Sequence, residues 1–167
     1  MALSKALCGI LATGAEKERA ARDFYLEGSR KCTSPLGKQM LVRLADDEVK
    51  HEQLLQSWAN EGICPADLVY PTVDKGFIRR AREKIAEAVQ PETSDLEVVE
   101  FAQEMERNAI RFYQDAAGAA QDQESKDLFL RLKSEEDKHL ALLTDLYEYM
   151  RDPGIWSVRE GGAHFDS

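Results

Sequence analysis

The sequence has few of the residues that would assign it to a class at once. Its 167 residues include 3 cysteines, 5 prolines and 10 glycines, and aromatic residues make up 8% of the chain. The cysteines are widely spaced and form no C-x-x-C pair, the usual seat of zinc or of a redox disulfide. Apolar runs stay well short of the roughly 18–20 residues that span a bilayer. We therefore expect a soluble protein of the reducing cytoplasm that does not act at a membrane.

The chain also has fewer basic than acidic residues. The chain carries 22 basic against 31 acidic residues, which gives a net charge of -9. Such a balance repels phosphate backbones, so nucleic acid is not an expected partner. Charged residues make up 32% of the chain and are spread along it, beside 43% apolar residues. This composition, with few helix breakers, favours one all-α domain of long solvated helices around a core.

An internal repeat organises the chain. Residues 16–25 read EKERAARDFY and residues 104–113 read EMERNAIRFY, an offset of 88 residues. The same offset places LADDEVKHEQLL at 44–55 over LKSEEDKHLALL at 132–143. The sequence therefore predicts two related helix pairs.

Apolar periodicity predicts four long helices, at about 3–31, 35–61, 94–120 and 123–150. Short connections within each pair require antiparallel hairpins, whereas the segment 62–93 is long enough to cross the length of a bundle. A stripe of apolar residues in that segment predicts a short amphipathic helix. We expect one bundle domain over 1–150, with a tail over 151–167 that packs on the bundle or on a partner subunit.

Each predicted helix turns acidic residues toward the core. At the spacing of a bundle core, the first helix directs Glu18 inward and the third helix directs Glu106 inward. The second and fourth helices each direct a Glu-x-x-His pair inward, which places both side chains of a pair on one helix face. These pairs are Glu48 with His51 and Glu136 with His139.

Four buried carboxylates require a countercharge. Two divalent cations would balance them, with two neutral imidazoles completing the set of ligands. This donor set suits iron or manganese, although zinc or cobalt would bind the same groups. A single Glu-x-x-His on a charged helix is usually a surface ion pair. Two copies at one offset, each matched by an inward glutamate, instead favour a metal centre, or a relic bundle that has kept the residues without the metal.

These residues resemble the rubrerythrin-like branch of the ferritin-like superfamily over about residues 5–150. The resemblance implies a ferritin-like four-helix bundle with two iron ions, through which the ligands would be catalytic. The ligands it implies are Glu18, Glu48, His51, Glu106, Glu136 and His139. It also suggests Tyr25 and Tyr113, each seven residues after a helix glutamate, as hydrogen-bond donors to the opposite carboxylates, for which a plain aromatic core role is the alternative.

Two departures from full rubrerythrins are visible. Residues 151–167 contain no cysteine for a rubredoxin-like iron site, and Ala109 stands where that group has an additional glutamate. The resemblance then implies an oxidoreductase that reduces hydrogen peroxide or dioxygen with electrons from an external donor such as a rubredoxin. We also expect a homodimer. The alternatives are an iron-handling ferroxidase, a di-iron hydroxylase, and a structural bundle with zinc or no metal.

Overall fold

The computed structural model describes residues 3–62 and 93–153. Four helices occupy these ranges: α1 (Lys5–Lys31), α2 (Pro35–Glu61), α3 (Asp95–Ala119) and α4 (Gln123–Arg151). Their bounds lie within two residues of those that the periodicity predicts. The predicted crossover helix and the tail lie outside the described residues.

Each helix begins at a side chain that accepts a hydrogen bond from its first turn. Ser34 caps α2, whose first residue is proline, as the sequence predicts. Ser94 caps α3 and forms a capping box with Glu97. Ser4 and Asp122 cap α1 and α4 in the same way. The short connections therefore stop and restart the helices at defined residues.

The helices pack as two hairpins, α1 with α2 and α3 with α4. Between hairpins, α1 lies against α3 and α2 lies against α4. The predicted all-α, ferritin-like four-helix bundle is confirmed. The proposed domain limits stay a prediction.

The core consists of two apolar clusters. One surrounds Phe24, Leu41 and Leu143, and the other surrounds Leu11 and Phe129. Tyr25 belongs to the first cluster and Tyr113 to the second, and both are fully buried. The inward-facing glutamates and histidines belong to neither. Apolar packing on both sides therefore holds this polar layer in place and limits its contact with water.

Asp95, the first residue of α3, ties the second hairpin to the turn of the first. Its carboxylate accepts hydrogen bonds from the Thr33 backbone N–H, the Thr33 hydroxyl and the Ser34 backbone N–H, each at 2.8 Å. Burial alone would raise the pKa of Asp95, but these hydrogen bonds outweigh it and hold the pKa below its usual value. The charged form therefore stabilises the fold.

Replacing Asp95 by alanine should lower the free energy of unfolding by about 1–2 kcal/mol at neutral pH, because three donors lose a charged acceptor. The folded-state pKa is depressed, so this contribution is present above the unfolded value of about 3.9 and is lost as the pH falls through the folded value. Urea denaturation of both proteins at several pH values measures it. The Asp115→Ala variant, which removes an exposed carboxylate from the same helix, is the control. A difference that stays constant below pH ~3 would contradict this account.

The cysteines are not alike. Cys32 is a buried free thiol whose pKa burial raises to about 11, which disfavours the reactive thiolate. Cys8 is buried and disulfide-bonded. Disulfides are rare in reducing compartments, and Cys8 therefore lends no support to the cytoplasmic location, which stays a prediction.

Candidate metal centre

The four inward-facing glutamates form one buried layer, with a contribution from every helix. Each is exposed by only 1–2%. The two histidines follow one helical turn after the glutamates of α2 and α4, and they are exposed by 7% and 3%. The structure thus brings all six predicted side chains together: Glu18, Glu48, His51, Glu106, Glu136 and His139. Their role as metal ligands stays a prediction.

Glu48 and Glu136 occupy the middle of the layer, and each lies within 3.3 Å of both histidines. Glu48 directs Oε2 to Nδ1 of His51 at 3.0 Å and Oε1 to Nδ1 of His139 at 3.3 Å. Glu136 directs Oε1 to Nδ1 of His51 and Oε2 to Nδ1 of His139, both at 3.0 Å. Each central carboxylate therefore divides its two oxygens between the two histidines.

Glu18 and Glu106 lie at opposite ends of the layer. The Oε2 atom of Glu18 is 3.8 Å from Nδ1 of His51, and the Oε1 atom of Glu106 is 3.6 Å from Nδ1 of His139. Two overlapping groups of ligand atoms result, each with its members within 4.8 Å of one another. The first group is Glu18, Glu48, His51 and Glu136, and the second is Glu48, Glu106, Glu136 and His139.

Several atoms in this layer are buried without a hydrogen-bond partner. Among the described residues these are Oε1 of Glu48, both carboxylate oxygens of Glu136 and Nδ1 of His139. Unsatisfied buried polar atoms are rare because each costs its full desolvation energy. These atoms converge from three residues on a common volume and are the oxygen and nitrogen donors that divalent transition metals accept. The donor set fits a metal pair.

The histidines owe their proton affinity to the glutamates. Burial alone would lower the pKa of His51, but the nearby carboxylates of Glu136 and Glu18 outweigh it and raise the pKa to about 12. Burial opposes protonation of His139 too, but the nearby carboxylates of Glu106 and Glu136 raise its pKa far above that of a free imidazole. Without metal, the cluster therefore holds protons on its rings.

The pKa values of the buried carboxylates shift in opposite directions. Burial, followed by repulsion from Glu136, raises the pKa of Glu18 well above its usual value. Burial also raises the pKa of Glu106, to about 8. Glu136 is the exception, because its close contacts with the His139 and His51 rings outweigh burial and lower its pKa to about 2. Protons on these groups would lower the negative charge of the layer, as bound divalent ions would.

The two tyrosines reach across the bundle. The Tyr25 hydroxyl on α1 donates a hydrogen bond to Oε1 of Glu106 on α3, and the Tyr113 hydroxyl on α3 donates one to Oε1 of Glu18 on α1. Each tyrosine lies two turns beyond a glutamate of its own helix, so both contacts form only because α1 and α3 run antiparallel. Burial, then the nearby carboxylates, raise the pKa of both hydroxyls well above their usual value. The tyrosines are therefore donors to the carboxylates as well as core residues.

Sequence reasoning missed the polar residues directly around this layer. Glu52, next to His51 and 8% exposed, accepts hydrogen bonds from Arg19 and Arg22 of α1. The repeat could not identify it, because Leu140 occupies the equivalent position. Asp47 lies 3.5 Å from Nε2 of His139. The repeat does mark Asp47, since an acid precedes the glutamate in both copies of the Glu-x-x-His sequence.

A four-helix bundle with duplicated glutamate and Glu-x-x-His positions defines a ferritin-like carboxylate protein. The rubrerythrin family profile matches residues 9–147, and the chain belongs to that family. The family is one of di-iron carboxylate proteins, and the buried cluster of glutamates and histidines fits a metal site.

Among solved structures, the chain is similar to a hypothetical protein from Pyrococcus furiosus. The two share 23% sequence identity with a TM-score of 0.67, over 87% of this chain and 90% of that one. At this identity the likeness shows the fold alone. No curated protein matches the chain significantly. Within residues 3–62 and 93–153, no helix has an apolar stretch long enough to span a bilayer.

Proposed function

We propose that the cluster binds two iron ions and that the protein is an oxidoreductase that reduces hydrogen peroxide with electrons from an external donor. The observation that carries this proposal is the pair of overlapping ligand groups that share Glu48 and Glu136. Membership of the rubrerythrin family supports an oxidoreductase over a purely structural bundle. Manganese or zinc could substitute at the same ligands.

The chain's own residues have separable roles in this proposal. Glu48 and Glu136 would bridge the two ions, because each presents one oxygen to each half of the layer. Glu18 and Glu106 would each bind one ion, and so would the two histidines. A ferrous pair supplies two electrons, which together with two protons convert one peroxide molecule into two water molecules.

Tyr25 and Tyr113 keep protons beside the terminal carboxylates. Their raised pKa values keep the hydroxyls protonated at neutral pH, so each continues to donate to its glutamate. A carboxylate held by such a bond has one oxygen fixed and the other free to bind an ion. The apolar clusters on both sides limit the entry of water.

Anaerobic stopped-flow spectroscopy tests the proposal. Protein loaded with two ferrous ions per chain should be oxidised by one equivalent of peroxide, faster than by dioxygen and faster than free ferrous ion under the same conditions. The Glu48→Ala and His139→Ala variants should lose this fast phase, whereas Asp46→Ala, which removes an exposed neighbouring carboxylate, should keep it. Identical rates in all four proteins would contradict the site assignment.

The same experiment separates peroxide reduction from iron handling. A ferroxidase would oxidise many ferrous ions per chain and retain the product, whereas the proposed enzyme turns over peroxide only while a reductant is present. Steady-state peroxide consumption with a rubredoxin and its reductase tests the proposed donor. Light scattering tests the expected homodimer against the large hollow assembly that storage requires. The cytoplasmic location stays a prediction.

A further inference from the structure

Beyond the six predicted ligands, both halves of the chain repeat one more feature. Asp47 directly precedes the glutamate of the first Glu-x-x-His sequence, and Glu135 directly precedes that of the second. Each acid forms an ion pair with a lysine three residues later. Lys50 Nζ lies 2.6 Å from Oδ1 of Asp47, and Lys138 Nζ lies 2.9 Å from Oε1 of Glu135.

The two acids differ in what they reach. Asp47 on α2 places Oδ2 3.5 Å from Nε2 of His139 on α4, while the other ring nitrogen of His139 faces Glu136 at 3.0 Å. The ring is therefore held between the buried cluster and an outer carboxylate. Glu135 does not do the same for His51, whose ion-pair partners are all glutamates of the central layer. Glu135 instead pairs with Lys138 of its own helix.

A carboxylate at the outer nitrogen of a metal-binding histidine has two effects. It keeps the N–H at Nε2, which leaves the Nδ1 lone pair free for a metal ion, and it strengthens the ring as a donor. His139 is also the less exposed of the two, at 3% against 7% for His51. Both differences favour the half of the cluster around His139.

We propose that Asp47 is a positioning residue that makes the two metal positions unequal, so that the position around His139 binds a divalent ion more tightly than the position around His51. This inference rests on the proposed two-metal centre. It predicts stepwise loading, in which the first ion enters the half formed by His139 and Glu106.

Titration of the metal-free protein with cobalt(II), followed by visible absorption and calorimetry, tests this inference. Wild type should bind two equivalents in two resolved steps. The Asp47→Ala variant should weaken the tight step by about 10–100-fold and leave the weaker step unchanged. The Asp46→Ala variant removes the same charge one residue away and should titrate like wild type, and Glu135→Ala should change either step by much less.

Each outcome has a separate meaning. If wild type binds no cobalt, the proposed metal centre fails. If wild type binds two equivalents but Asp47→Ala titrates identically, or loses affinity equally in both steps, the metal centre stands and the role of Asp47 is overturned. Circular dichroism and thermal unfolding establish that the variants are folded. Should Asp47→Ala not fold, Asp47→Asn takes its place: it keeps the shape and loses the charge, so an unchanged tight step in that variant overturns the inference.

Discussion

Replacing Glu136 by glutamine is expected to abolish the binding of both metal ions, whereas replacing Glu106 by glutamine is expected to abolish the binding of only one. Glu136 presents Oε1 to His51 and Oε2 to His139, so its carboxylate belongs to both ligand groups. Glu106 belongs to one group alone. A neutral amide of the same shape is a poor ligand for either ion.

Metal analysis after anaerobic loading with ferrous iron and desalting measures the difference. Wild type should retain about two ions per chain, Glu106→Gln about one and Glu136→Gln close to none. The matched control is Asp137→Asn, which alters an exposed carboxylate next to Glu136 that pairs with Lys133. If Glu136→Gln and Glu106→Gln retain the same number of ions, the division into bridging and terminal glutamates is wrong.

The repeat in the sequence already determined which residues could share a layer. Glu18 and Glu106 occupy the same place in two related segments, and so do the two Glu-x-x-His pairs. Because a bundle core has a fixed helical spacing, one assumption about the inward face was enough to direct all of them to the core. Positions at the margin of that face, such as Leu7 and Trp58, are only half-buried.

The sequence did not predict which glutamates of the layer would bridge two ions and which would bind one. Whether a glutamate bridges or binds one ion depends on where its two oxygens lie relative to both histidines, and that depends on how far each helix is rotated and shifted against the others. The sequence therefore left open whether Glu48 would bridge or chelate. The contacts of Tyr25 with Glu106 and of Tyr113 with Glu18 could not be predicted either, because they depend on the antiparallel placement of α1 and α3.

Contacts between distant segments were missed for a related reason. Asp95 binds the turn at Thr33, yet in the sequence it is one more acid on a charged helix. The repeat marks Asp47, but it does not show that Asp47 lies beside His139. A chain with 31 acidic residues offers many such candidates, and helical periodicity ranks none of them above the others. Only the packing of one hairpin against the other selects them.

Loading the wild-type protein with two divalent ions is expected to raise its thermal midpoint by roughly 15 °C or more, because ligands that bind only the folded state stabilise it by mass action. At a free metal concentration a thousand times the dissociation constant, each ion contributes about 4 kcal/mol. For a chain of this size, each kcal/mol shifts the midpoint by about 2–4 °C.

Thermal unfolding followed by circular dichroism, with and without ferrous or cobalt ions under anaerobic conditions, measures this shift. Chelation before heating should reverse it. Glu136→Gln, which lacks a ligand to both ions, should show almost no metal-dependent shift, and Glu106→Gln should show about half of it. Asp137→Asn should respond like wild type. A shift of equal size in Glu136→Gln would contradict the proposed sharing of Glu136 between the two ions.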